Sequence, residues 1–213
     1  MSKPMDVILG RNGKYSRLTP DYYKSRNPER RSSTRFLTIF RVGRISSQRD
    51  SGLCRVQNIS DDGMMLTTDL VLTIDDQVLI ALSDTVSLAA RVMWRVSDRA
   101  GIRFEQPIDA GALLQFLATE HRSGSQRPPR LPTDTIGVAQ TERGTRIVRV
   151  VNISQHGMGI AHDGSFEEGQ SLKIMLENGI ARRAVVRWSH DNMAGLMLLD
   201  PIPYNELGSA RKL

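Results

Sequence analysis

The sequence predicts a mainly β protein: two tandem six-stranded antiparallel β-barrels, the first followed by a C-terminal helix. Three observations carry this. The chain says the same thing twice, because residues 55–66 read RVQNISDDGMML and residues 149–160 read RVVNISQHGMGI, an offset of 94 residues. At that same offset Trp94 matches Trp188, Gly101 matches Gly195, Pro107 matches Pro201 and Ile108 matches Ile202. A period this long fits two whole small domains rather than a solenoid, whose units run roughly 20–50 residues. The length of 213 residues accommodates two such domains. Finally, short β-rich segments separated by turn signals recur at near-regular spacing in each half, the pattern of small antiparallel barrels.

The elements follow in order. Residues 36–45 (FLTIFRVGRI) are rich in β-branched and aromatic residues and read as a strand. Residues 52–58 make a second, closed by the turn Asn58-Ile59-Ser60-Asp61-Asp62-Gly63, and Met64 to Leu66 begin a third. After the Asp75-Asp76 turn, 77–82 and 86–96 read as strands, and Ile102-Arg103-Phe104 follows the turn at 97–101. The run DAGALLQFLATEH then changes period: Leu113, Leu114, Phe116 and Leu117 cluster on one helical face, with Asp109 as N-cap. Residues 122–132 (RSGSQRPPRLP) read as a linker. Strands recur at 135–140, 145–152, 157–161, 171–176, 180–189 and 194–199, and the tail YNELGSARKL allows at most a short helix.

Charge is localised. Residues 1–36 hold nine basic side chains against Asp6, Asp21 and Glu29, which accounts for the whole formal net charge of +6. A neutral body with a basic N-terminal arm points to an anionic partner at that arm. The single cysteine, Cys54, excludes an intramolecular disulfide framework and is expected to be a small buried strand residue. No apolar stretch approaches the ~20 residues that span a bilayer, and the N-terminus lacks a sustained apolar segment. A cytoplasmic protein without membrane insertion is expected. His121, His156, His162 and His190 show no metal-like spacing, and no nucleophile–base pair emerges, so neither a metal nor catalytic residues are assigned.

The chemistry sits at one arm and one turn. Arg31 and Arg35 stand four apart in ERRSSTR, about 23 residues before the Asn58–Gly63 turn. Arginine offers a planar fork of donors, suited to phosphate oxygens and to the O6/N7 edge of guanine, and it stacks on aromatic rings. Asn58 can donate and accept, Ser60 offers a hydroxyl, and Gly63 permits a backbone or ligand approach that a Cβ would obstruct. Asp61-Asp62 reads as a turn pair rather than an acid/base dyad. Trp94 and Trp188 read as core or rim residues, with Trp94 also placed to stack near a bound purine.

Arg31-Ser32-Ser33-Thr34-Arg35 followed by Asn58-Ile59-Ser60-Asp61-Asp62-Gly63 resembles the PilZ domain, the bacterial receptor module for cyclic di-GMP. The run Gly101 to Phe104 (GIRF) is similar to the last strand of such barrels. The resemblance implies that Arg31 and Arg35 grip guanine and phosphate, that Arg30 is an auxiliary contact, and that Asn58, Ser60 and Gly63 line the opposite wall. It also implies an arm around residues 25–36 that is loose when empty and wraps the ligand when bound. The expected organisation is a basic arm at 1–26, a PilZ domain with the complete motif at 27–121, a linker at 122–132 and a degenerate PilZ-like domain at 133–213. The second copy keeps Asn152, Ser154 and Gly157, but Arg122, Arg127 and Arg130 are never four apart, so its turn is read as structural.

Three function classes compete. A cyclic di-GMP receptor, with no other cofactor, would pass a conformational change to a protein target. A PilZ-like adaptor would bind protein only, and would be favoured if the clamp arginines were tied up by Asp61 or Asp62. A nucleic-acid-binding barrel is disfavoured, because residues 1–36 offer only Tyr15, Tyr22, Tyr23 and Phe36 for stacking. Motor, polysaccharide and transcriptional outputs are all compatible with the sequence.

Overall fold

A computed structural model describes residues 36–122, 128–164 and 166–213, and turn chemistry and alternating burial divide these described residues into twelve strands and their connections. The first barrel is built from β1 (Phe36–Ser47), β2 (Ser51–Ser60), β3 (Gly63–Thr68), β4 (Gln77–Ala81), β5 (Ser87–Val96) and β6 (Arg99–Phe104). Helix α1 (Ala110–Arg122) follows. The second barrel is β7 (Leu131–Thr141), β8 (Gly144–Ser154), β9 (Gly157–Ala161), β10 (Ser171–Leu176), β11 (Ala181–His190) and β12 (Met193–Leu198). Both are closed, in the orders β1-β2-β3-β6-β5-β4 and β7-β8-β9-β12-β11-β10. By internal contacts the chain forms two compact units, largely one per barrel. The expected fold class holds, and the single helix among the described residues stands after the first barrel.

Alternation puts one side of each strand inside. In the first barrel Ile45, Cys54, Val56, Leu66, Ile80, Val92, Ile102 and Phe104 are buried, and α1 adds Ala110, Leu113 and Leu117. Fully burying side chains of this size stabilises by roughly 1.5–3 kcal/mol each before the chain's ordering entropy is counted. The second barrel has its own interior of Leu131, Ile153, Met158, Ile160, Ile174, Val186 and Leu207. Helix α1 is capped as expected, with the Ala112 amide donating to Asp109 Oδ1 at 2.8 Å.

The duplication extends to irregularities that the sequence does not announce. Pairing slips by one residue between Val56 and Asn58 and between Val92 and Trp94, and again between Val150 and Asn152 and between Val186 and Trp188. Such bulges bend a strand and re-aim its side chains. The bulge in β5 leaves Met93 and Trp94 both exposed, at 43% and 40%. The indole of Trp94 then lies on Gly101, and that of Trp188 on Gly195, where a Cβ would overlap the indole nitrogen. That is why this Trp–Gly pair recurs at the 94-residue offset.

One boundary differs from the sequence reading. Strand β7 begins at Leu131, inside the stretch read as linker. Pro132 is accommodated there because pairing with β8 is irregular between Pro132 and Thr135, so no regular ladder bond needs its missing N–H. The tail forms two short 3-10 turns, Tyr204–Leu207 and Ala210–Lys212.

Candidate functional site: the β2–β3 turn and its flank

The residues Asn58 to Gly63 form the hairpin between β2 and β3. Ser60 pairs with Gly63 across it, and the Ser60 hydroxyl donates to the Gly63 carbonyl at 3.2 Å. Asn58 and Ser60 are each only 5% exposed. Gly63 is required by packing rather than by an unusual φ: a Cβ there would run into the Ile102 carbonyl of β6. The sequence reading left open whether backbone conformation or ligand approach demanded glycine, and the close passage of β6 is the demand the geometry supplies.

The two aspartates of the turn organise what lies behind it. The Asp61 carboxylate accepts the Ala110 amide at 3.1 Å, its carbonyl accepts the Ile108 amide at 2.9 Å, and the Asp62 carbonyl accepts the Phe104 amide at 2.9 Å. A helix N-terminus leaves its first amides without intrahelical partners. Asp61 supplies one such partner, so the turn is fastened to the start of α1. Sequence reasoning treated Asp61 as turn punctuation and missed this role. The spacing of 49 residues to Ala110 leaves no local signal for it.

Strand β1 also addresses this helix. Arg41 Nε donates to the Leu82 carbonyl at 3.0 Å, and the Arg41 guanidinium lies in the field of Glu120 on α1. Desolvation pulls its pKa below the usual arginine value, and Glu120 opposes the shift. Glu120 in turn accepts the Thr85 hydroxyl at 2.6 Å.

Across the sheet, one row of side chains runs Asn58–Met65–Gly101–Trp94 and the next runs Gly63–Arg103–Arg91–Gln77. Trp94 thus shares a row with Asn58, and two exposed arginines stand beside the turn glycine. Those arginines were not singled out from sequence. Their signal was available at the 94-residue offset, where Met197 and Val185 stand in their places. Arg30, Arg31 and Arg35 lie outside the described residues.

The second turn is closed in the same way, with the Ser154 hydroxyl donating to the Gly157 carbonyl at 3.1 Å. Its asparagine is engaged: Arg130 Nη1 donates to Asn152 Oδ1 at 2.8 Å, and the Asn152 amide lies over Gly159. An arginine therefore does reach this turn, and what it holds is the asparagine itself. Cys54 is fully buried in β2, and desolvation pushes its thiol up to about 12. Among the described residues no group of three His, Cys, Asp or Glu side chains is placed to hold a metal ion, and no helix is long and apolar enough to cross a membrane.

Two closed six-stranded barrels with the same self-closing Asn-x-Ser-x-x-Gly turn define a tandem-barrel protein with a duplicated hairpin site. The chain belongs to the PilZ domain family, whose model matches residues 29–119 and 124–207. Solved structures similar to it include the Borreliella burgdorferi PlzA protein in complex with c-di-GMP. That match has 13% identity and a TM-score of 0.37, covering 79% of this chain and 85% of that one. Another is the Bacillus subtilis inhibitor of motility MotI/DgrA, at 16% identity and a TM-score of 0.32, covering 81% and 94%. A third is Escherichia coli YcgR in complex with c-di-GMP, at 14% identity and a TM-score of 0.28, covering 74% of each chain. No curated protein matches the sequence.

Proposed function

We propose that this protein is a cyclic di-GMP receptor and not an enzyme. The first barrel binds the dinucleotide between the arm arginines Arg30, Arg31 and Arg35 and the turn residues Asn58, Ser60 and Gly63. The observation that carries this reading is the complete Arg-x-x-x-Arg and Asn-x-Ser-x-x-Gly pair within the first PilZ match. The electrostatics support it, since the arm holds the entire net positive charge and the ligand is a dianion.

Helix α1 is the natural relay to a protein target. The turn holds its first amide through Asp61, and β1, which continues directly from Arg35, faces Glu120 near its last turn through Arg41. A ligand that draws arm and turn together bears on both ends of one helix, which gives the differential interaction a switch needs. The rival adaptor reading would be favoured by Asp61 or Asp62 tying up the clamp arginines; one oxygen of the Asp61 carboxylate is held by the Ala110 amide.

Calorimetric titration of cyclic di-GMP into the full chain tests the proposal. Saturable binding at roughly tens of micromolar or tighter is expected, with Arg31→Ala and Arg35→Ala each losing about 10- to 100-fold, the range for hydrogen bonds to charged groups. Wild-type protein that takes up no ligand, or arginine variants that bind as wild type does, would refute it.

A further inference from the structure

Two arginines beside the turn form a charged pair that the fold does not need. Arg103 on β6 is directly opposite Gly63 on β3 and directly opposite Arg91 on β5. Directly opposite residues of antiparallel strands project from the same face, and like charges so placed repel. Both arginines are exposed, and among the described residues neither forms an ion pair with a carboxylate. Among the described residues Arg91 donates to the Asp75 carbonyl, at 3.4 Å. The remaining members of the row, Gly63 and Gln77, carry no charge.

The second barrel supplies the control. Its matching row is Gly157–Met197–Val185–Ser171, paired in the same register and uncharged throughout. The same barrel therefore closes without this cationic pair, and only the copy with the complete motif carries it. A repulsive pair next to a hairpin that a ligand occupies is relieved when an anion sits between the two guanidiniums.

We propose that Arg103, backed by Arg91, is a further ligand-binding residue that takes a phosphate of the cyclic dinucleotide on the β5–β6 flank of the turn. This rests on the receptor reading above. Gly63 contributes by having no side chain: the Arg103 Cα passes 3.2 Å from where its Cβ would be, so β6 runs close against the turn.

The test exchanges the pair for the second barrel's residues, Arg103→Met and Arg91→Val, singly and together, in the full chain. Cyclic di-GMP is titrated calorimetrically at two salt concentrations, with Arg35→Ala alongside. Arg103→Met should weaken binding about tenfold, Arg91→Val less, and the double variant should also show a shallower salt dependence. The ligand-free double variant should melt no lower than wild type, because a repulsion has been removed. Arg103→Gln, which keeps a polar stem, serves if the double variant folds poorly and should weaken binding to a similar extent. Wild-type affinity and salt dependence in these variants, while Arg35→Ala loses binding, would overturn the inference and leave the receptor reading intact. Failure of wild-type protein to bind would overturn both.

Discussion

The two barrels are the same scaffold put to different use. They share two bulges at equivalent positions, a serine-to-glycine bond that closes the turn, and a tryptophan laid on a glycine across the sheet. They part at the surface of that scaffold. Beside the first turn the sheet presents Met65, Arg103 and Arg91, and beside the second it presents Gly159, Met197 and Val185. Glycine at 159 lets Asn152 lie flat on the sheet, where Arg130 holds it, whereas Met65 occupies the matching place under Asn58. The two copies keep the residues that close the barrel and differ in the side chains beside the turn.

The largest effect should come from a glycine that both copies need unequally. Gly63→Ala sets a methyl against the Ile102 carbonyl and must prise β3 from β6, at a cost of about 3 kcal/mol or more. In Gly157→Ala the added Cβ would be 2.7 Å from the Leu196 carbonyl, and the cost should be smaller. The chain has two tryptophans, one in each barrel, so Trp188→Phe and Trp94→Phe backgrounds let denaturant unfolding be followed barrel by barrel. Equal losses in the two barrels would contradict the tighter approach at Gly63.

A second contrast appears only in alkali. Cys54 is matched at the 94-residue offset by Val148, and both are buried. Burial raises the thiol from 9.0 to about 12, so the folded barrel keeps the proton that the unfolded chain releases. The stability linked to this group is intact below pH 9.0 and is lost as pH rises toward about 12, at about 1.4 kcal/mol per pH unit between them. Cys54→Val should flatten that fall in the first barrel relative to wild type. An unchanged pH profile above 9.0 in the variant would remove the thiol from the account.

Much of the scaffold was legible because its signals are local. The Asn58–Gly63 and Asn152–Gly157 turns, the Asp109 cap and the helix over Leu113 to Leu117 each lie within a few residues of chain and stand where they were read, although Phe116, read on the face with Leu113, Leu114 and Leu117, is exposed. What escaped depends on register. Arg103 lies 12 residues from Arg91 and 40 from Gly63 along the chain, and only strand pairing makes them neighbours. Asp61 reads as turn punctuation because its partner at Ala110 lies beyond four further strands. Arg130 and Leu131 were lost in a proline-rich stretch, since nothing local says that Pro132 falls at a bulge. The clamp itself was legible as a motif, and that reading still belongs to the binding experiments.

Asp61 supplies the third contrast. Its counterpart, Gln155, reaches the Ile202 carbonyl from its side-chain amide at 3.4 Å, and the chain there continues into a 3-10 turn rather than a helix. Asp61→Ala should therefore destabilise the first barrel by about 1 kcal/mol, the usual loss of a helix-capping carboxylate, while Gln155→Ala changes the second barrel little. If α1 relays the bound state, Asp61→Ala should also reduce the ligand-induced change in amide exchange of α1 while leaving uptake of cyclic di-GMP in place. Full transmission to the helix in this variant would break the proposed route.

The smallest effect is the most discriminating, because it falls on a residue the two copies share. Ser60 and Ser154 make the same hydroxyl-to-carbonyl bond, at 3.2 and 3.1 Å, so replacing either by alanine should cost its own barrel a similar 0.5–1.5 kcal/mol, roughly one net hydrogen bond. Any further consequence of Ser60→Ala must come from outside the fold. Should cyclic di-GMP affinity fall more than the altered turn of the ligand-free protein explains, the hydroxyl serves ligand as well as turn. An unchanged affinity would reduce Ser60 to scaffold, like its counterpart, and shift the work of recognition onto the unshared arginines.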